Sequence, residues 1–341
     1  MPSLKEKNVT FKSVKEKLKK LYDLLSPEDK VLIIIFPDPD AIASAWALKR
    51  LLWRKVQIVN IACVRETKRM DNLAMLKLLK INVYPFSEIK LDTFSKFAIV
   101  DSQPGHFSEL KNIHFHIIID HHPLSEKIEG DFIDIVPECG ATATLLTEYL
   151  RRARIKPSSG LATALFYGIK TDTQNFAFRG TERDIKAFRY LFNYVNHTVI
   201  RKIESSEISL QNILYFKKAF NVMQVSLTQR RIFIYLGKVK EADICVILAD
   251  FFLKVAEISW SIVAGCYKNH IIVIFRSDGY RKDAGRLAKK AFGHIGEAGG
   301  HKEMARAEIP IKYLKDISGK FNDKSIKRFI LDQIDGVIKW H

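Results

Sequence analysis

The chain has 341 residues, 47% of them hydrophobic and 27% charged, with a formal net charge of +17. That is the composition of a globular protein with core enough for two domains, and no apolar run reaches the length of a membrane span. The opening residues Met1-Pro2-Ser3-Leu4-Lys5-Glu6-Lys7 lack the apolar centre of a signal peptide, so a cytoplasmic location is expected.

The cationic surplus attracts polyanions, whether nucleic acid, nucleotides or an anionic membrane surface, or else only keeps the surface solvated. The four cysteines, Cys63, Cys139, Cys245 and Cys266, form no closely spaced pair of the zinc or redox type and read as reduced thiols.

Phe11, Val14, Leu18, Leu21 and Leu25 recur at helical spacing and predict an amphipathic first helix. Residues 31–36 form an isoleucine-rich run, the pattern of a strand buried on both faces. A helix over 41–53, a strand over 56–64, a helix near 75–79 and an extended stretch over 81–86 follow. Strands are expected again over 97–100 and 115–119, and the pattern then turns mainly helical from 141 to 195. Strands alternating with helices predict an α/β fold with a parallel sheet. Residues 196–216 read as a helical connector. A second α/β unit is expected from 217, with a hairpin at 225–236, a helix over 242–255, paired strands at 259–267 and 271–275, and a helix over 281–292. The expected domains are thus 1–195, the connector 196–216, and 217–341.

The chemistry sits where the predicted strands end. The first ends in Asp38-Pro39-Asp40, the fourth in Asp101, the fifth in Asp120-His121-His122. In an open parallel sheet those ends line one crevice, and Asp172 joins it if the helix before it packs across the sheet. Gathered aspartates and imidazoles repel one another without a cation, and mixed oxygen and nitrogen donors suit manganese, zinc or iron better than calcium. Each part also has a plain reading. Asp38 and Asp40 make good turn residues, and Asp101 can cap a helix.

Taken together, these motifs resemble the DHH phosphoesterase family. Asp38-Pro39-Asp40-Ala41-Ile42-Ala43-Ser44, Asp101, Asp120-His121-His122 and Gly168-Ile169-Lys170-Thr171-Asp172-Thr173 stand in the family's order. The resemblance implies metal ligation by Asp38, Asp40, Asp101, His121 and Asp172, with Asp101 bridging. It implies that Asp120 orients the histidines and that His122 contacts the scissile phosphate and supplies a proton. The implied cofactor is manganese, with magnesium or another divalent ion as alternatives. One departure is Ile34, which stands where many relatives carry a ligand histidine, so a weaker first metal site is expected. His106, His114 and His116 are the nearby substitutes.

In the second unit, Ala298-Gly299-Gly300-His301 resembles the Gly-Gly-Gly-His motif of the associated C-terminal domain, and a helix starting near His301 would strengthen an anion nest there. A simple turn is the alternative. Arg276-Ser277 resembles a phosphate-binding pair, against the alternative of a surface ion pair with Asp278 or Asp283. The resemblance implies substrate binding by Arg276, Ser277, Gly299, Gly300 and His301, with the active site in the cleft between domains. The expected activity is metal-dependent hydrolysis of short oligonucleotides and of 3′-phosphoadenosine-5′-phosphate. The alternatives are a cyclic-dinucleotide phosphodiesterase or a catalytically weakened nucleotide-binding paralogue. The expected partner is a short single-stranded nucleic acid or nucleotide, with no membrane; a homodimer is left open.

Overall fold

The computed structural model describes residues 13–67, 69–124, 128–177, 180–206, 208–280, 282–313 and 322–337. Phe11 and Arg281, read above as helical, lie outside them. The chain divides into two units, Met1–Glu207 and Ile208–His341. All four cysteines are free.

The first unit runs α1 (Val14–Asp23), β1 (Lys30–Ile35), α2 (Pro39–Leu52), β2 (Ile58–Cys63), α3 (Met70–Leu79), β3 (Tyr84–Pro85), β4 (Lys96–Val100), β5 (Ile117–Asp120) and β6 (Phe132–Ile135). Four helices complete it: α4 (Thr142–Arg152), α5 (Ser159–Asp172), α6 (Glu182–Phe192) and α7 (His197–Glu204). Its six strands pair in the order β3-β2-β1-β4-β5-β6, all parallel.

Strand β1 is central, and its side chains alternate between two apolar layers. Val31, Ile33 and Ile35 enter the large core with α2, α4 and α5, while Leu32 and Ile34 enter a smaller one with Ile99, Phe115 and Ile118. Burial on both faces is what the unbroken isoleucine run requires. Strand β6 escapes a reading by hydropathy because it is short and carries Asp134. That carboxylate is buried yet satisfied, accepting from Lys17 of α1 and from the Tyr149 hydroxyl of α4.

The second unit runs α8 (Leu210–Val222), β7 (Gln224–Ser226), β8 (Arg231–Lys238), α9 (Asp243–Phe252), β9 (Trp260–Tyr267), β10 (His270–Ser277), α10 (Ala284–Phe292), β11 (Glu297–Gly300), β12 (Met304–Pro310) and α11 (Asp323–Asp335). Its six strands lie in the order β11-β12-β10-β9-β8-β7. Only β8 and β9 pair in parallel; the other neighbours are antiparallel. Helices α10 and α11 cover one face with Phe233, Trp260 and Phe275, and α8 and α9 cover the other with Ile232, Ile234 and Ile274.

Two local expectations differ from the structure. The segment 196–216 is not one connector. Helix α7 buries Ile200 and Ile203 in the core of the first unit, whereas Tyr215 and Phe216 of α8 pack on the second. No helix starts at His301. The glycines form the end of β11, and the chain turns directly into β12, with the His301 N–H donating to the Met304 carbonyl at 2.8 Å. Gly300 takes φ +148°, and a Cβ there would lie 2.3 Å from the Met304 carbonyl oxygen, so the hairpin demands glycine. The nearby N-terminus of α10 is already satisfied by this turn: Ala284 N–H donates to Lys302 C=O and Gly285 N–H to His301 C=O.

Candidate metal centre

Each carboxylate at the strand ends is set by local backbone chemistry. Asp38 follows β1 and caps α2, accepting the Ala41 N–H at 2.8 Å, with Pro39 in the first helical position. The turn reading and the ligand reading of this motif are therefore compatible. Asp40 lies in the first turn of α2 and is 1% exposed. It accepts the N–H groups of Thr142 at 2.6 Å and Ala143 at 2.7 Å, and so caps α4, whose own cap residue Ala141 offers no side-chain acceptor. Asp101 follows β4 in the left-handed region, φ +58°, which an aspartate tolerates better than most side chains. It accepts the Thr142 hydroxyl at 2.8 Å. Thr142 thus ties the starts of α2 and α4 to the end of β4.

Asp172 is the last residue of α5. It reaches the cluster because Gly168 lets α5 lie against α2: a Cβ on Gly168 would stand 3.1 Å from Asp40 Cα and 3.2 Å from the Pro39 carbonyl oxygen.

The two histidines are held differently. His121 Nδ1 lies 3.1 Å from the Cys139 carbonyl, an acceptor only, so Nδ1 carries a proton and Nε2 is the nitrogen that can ligate once the ring is neutral. Nε2 is buried, 3.0 Å from Asp172 Oδ2 and 3.5 Å from Asp101 Oδ1, yet has no hydrogen-bond partner among the described residues. His122 is 43% exposed, with Nδ1 at 2.8 Å from Asp120 Oδ1. Asp120 also accepts the His121 backbone N–H and, on its other oxygen, the Gln103 side-chain amide at 2.8 Å. Asp120 therefore orients the ring of His122, while Cys139 orients the ring of His121.

Two groups bring their donor atoms within 4.8 Å of one another: Asp40 with His121 and Asp172, and Asp101 with His121 and His122. Asp38 belongs to neither, although its carboxyl feels the charge of Asp172 and a hydrogen bond from Asp101. Burial, with mutual repulsion, pushes the Asp38 carboxyl up to about 6, that of Asp40 up to about 7, and that of Asp101 well above its usual range. Burial opposes charge on His121, but the Asp172 and Asp40 carboxylates outweigh it and raise the ring to about 9. Burial alone would raise Asp120; hydrogen bonds from His122 and Gln103 outweigh it and hold that carboxyl below the usual range.

These residues fit a divalent cation. A buried imidazole nitrogen not engaged by the backbone faces carboxylates whose negative charge burial and mutual repulsion disfavour, and a cation relieves both. Asp38, Asp40, Asp101, His121 and Asp172 would hold the ion, which supplies Lewis acidity when bound.

A proton-linkage result follows. Asp38, Asp40 and His121 all bind protons more tightly folded than unfolded, so the ion-free fold loses stability as pH rises from 3.8 through about 7 for the carboxylates and from 6.5 through about 9 for the histidine. Thermal melts of the ion-free chain should fall from pH 5 to pH 9, and manganese should restore more of the loss at the alkaline end. Calorimetric manganese titrations should release protons and tighten with pH. An affinity flat across this range would contradict the site.

Ile34, at the usual ligand position, is 0% exposed and sealed in the smaller apolar layer. Of the three substitute donors, only His106 lies beside the cluster, its ring centre 6.3 Å from that of His122. His114 and His116 form a separate group with Asp131. There His116 Nδ1 accepts the Phe97 N–H, which leaves its other nitrogen protonated.

In the second unit, Arg276 pairs with Asp250 of α9 at 2.5 Å, not with Asp278 or Asp283. Ser277 is buried, and its hydroxyl donates to the Lys302 carbonyl at 2.9 Å. Adjacent strand residues face opposite sides of the sheet, so the two side chains point apart. Gly299 and His301 are exposed, and a Cβ on Gly299 would meet nothing within 4 Å.

Sequence reasoning misses Gln103, Thr142, Cys139 and Asp184. Asp184, 0% exposed, forms a capping box with Thr181 at the start of α6, and it also accepts the Gly140 N–H at 3.0 Å and the Thr144 hydroxyl at 2.6 Å. It thereby fixes the 139–140 loop that aims His121. The Thr181-x-x-Asp184 spacing signals a helix start; nothing in it signals the distant partners.

Residues 30–169 match the DHH family, N-terminal domain. The chain is 36% identical over 325 residues to an uncharacterized protein of Methanocaldococcus jannaschii, covering 93% of this chain and 66% of that one. It therefore spans just under two thirds of that relative's length. It is 23% identical to the bifunctional oligoribonuclease and PAP phosphatase of Mycoplasma pneumoniae, over 81% of this chain and 88% of that one. Its fold is similar to that of an exopolyphosphatase-related protein from Bacteroides fragilis, with TM-score 0.73, 18% identity, and 97% and 98% of the two chains covered. Residues 30–169, which run from β1 into α5 and carry Asp120-His121-His122 at the carboxyl end of the fifth strand in the chain, thus match the N-terminal domain of the DHH family, and a second α/β unit follows them.

Proposed function

We propose that this chain hydrolyses phosphodiester bonds in short oligonucleotides and nucleotides, using a divalent ion, manganese by preference, and water as nucleophile. The observation that carries this reading is the buried Nε2 of His121 set among Asp101, Asp172 and Asp40.

The chain's own groups then divide the work. Asp120 keeps the proton on His122 Nδ1 and raises the pKa of that ring, chiefly through their hydrogen bond. His122 thus stays protonated over a wider range and donates a proton to the leaving oxygen. Asp40 and Asp101 are fixed by the start of α4, so they need not reorganise when substrate arrives. The His301 imidazole of the second unit is exposed and can contact a phosphate. The charge of +17 speeds the approach of an anionic substrate. The likeness to a bifunctional oligoribonuclease and PAP phosphatase supports the substrate class.

A length series of end-labelled oligonucleotides with manganese tests the proposal. We expect oligomers of about two to five nucleotides to be cut faster than long strands. His301→Ala should slow the short substrates more than a small chromogenic phosphodiester. Nucleotide binding with no metal-dependent turnover on any substrate would sink the enzyme reading. Activity confined to cyclic dinucleotides would move the substrate.

A further inference from the structure

We propose that the rim of the first unit beside the metal centre is a nucleobase-stacking subsite, formed by Phe36 and Arg65 with Phe107 and His106 behind them. This rests on the nucleotide reading above and adds the part of the substrate that a metal centre cannot recognise, its base.

Phe36 immediately follows β1, and its carbonyl accepts the Asp38 N–H at 2.9 Å. The ring is only half-buried and joins none of the apolar clusters among the described residues. A large aromatic at the carboxyl end of the central parallel strand, where ligands of such sheets bind, thus fills no core. It stacks on Phe107 with ring centres 5.7 Å apart and planes at 13°. His106 stands edge-on both to Phe107 and to His122, with ring centres 6.3 Å apart in each case. A run of rings therefore leads from Phe36 to the histidine beside the carboxylates.

Arg65 supplies the other half. It is exposed, follows β2, and holds its guanidinium 5.6 Å from the Phe36 ring centre. Among the described residues it makes no ion pair, whereas Arg69 nearby is forked onto Asp71. Two stacked gaps of about 3.5 Å need about 7 Å, so a small outward shift of this flexible side chain admits a base between guanidinium and ring. The same guanidinium can then pair with a flanking phosphate. Every base has a π-face, so the subsite would accept all of them while rejecting a bare sugar phosphate.

The test is equilibrium binding with manganese present, comparing 2-aminopurine riboside 5′-monophosphate, followed by its fluorescence, with ribose 5-phosphate as competitor. Wild type should quench the fluorophore and prefer it to ribose 5-phosphate by about tenfold. Phe36→Leu, which keeps an apolar plug, and Arg65→Gln should each cut that preference to about threefold or less and weaken quenching. Phe36→Trp should retain both; thermal melts of each variant confirm folding. Equal affinity of wild type for both probes, or an unchanged preference in Phe36→Leu, overturns the subsite. The readout needs no turnover, so the two readings separate. Hydrolysis without base preference overturns the subsite and spares the enzyme. Base preference without hydrolysis supports the subsite and removes the enzyme.

Discussion

His121→Ala is expected to abolish tight divalent-ion binding and to slow phosphodiester hydrolysis by at least about a hundredfold. The side chain belongs to both groups of candidate donors, so its loss weakens both at once. Its Nδ1 is committed to the Cys139 carbonyl, which turns Nε2 toward Asp101 and Asp172. Removing the ring should also cost the ion-free chain stability at neutral pH, because the protonated imidazole balances the carboxylates around it there. His122→Ala makes the contrast. That ring is half exposed and contacts Asp120, so its loss should lower turnover while leaving ion affinity within a few fold. Isothermal titration with manganese and steady-state rates on one phosphodiester separate the two. Equal ion affinity in wild type and His121→Ala would remove His121 from the ligand set.

Asp184→Ala should produce the largest loss of stability, about 3 kcal/mol or more, because buried donors on three separate segments are left without an acceptor. Gly140, Thr144 and Thr181 all donate to this carboxylate. The 139–140 loop would then loosen, and with it the carbonyl that aims His121. Ion affinity should fall by about 10–100-fold, as expected when an outer partner of a ligand is lost. Asp184→Asn retains one acceptor and should fall between wild type and alanine in both measurements. If the melts shift and ion affinity does not, the loop is held without Asp184 and its role is confined to α6.

The order of elements, the parallel sheet of the first unit and the strand ends bearing Asp38, Asp101 and the two histidines are legible in the chain itself. The reason is local. An isoleucine run with no polar interruption can only be a strand buried on both faces, and carboxylates directly after such runs must emerge at one edge of a parallel sheet. The start of α2 is legible too, since Asp38-Pro39 is a cap followed by proline at the first helical position.

What the chain alone leaves open depends on partners far away in sequence. Nothing near Asp40 says that it caps α4, whose first N–H groups lie about a hundred positions later. Nothing near Asp134 says that Lys17 and Tyr149 will satisfy it, so β6 reads as loop. The glycines at 299 and 300 are permissive for a helix start or a hairpin, and pairing of β11 with β12 decides for the hairpin. Nothing near Arg276 says that it pairs with Asp250 of α9, and nothing near Ser277 says that its hydroxyl meets the Lys302 carbonyl. Periodicity and capping are set by neighbours a few residues apart, so sequence determines them. Which buried carboxylate meets which donor is set by how whole elements pack, and only the tertiary structure decides that.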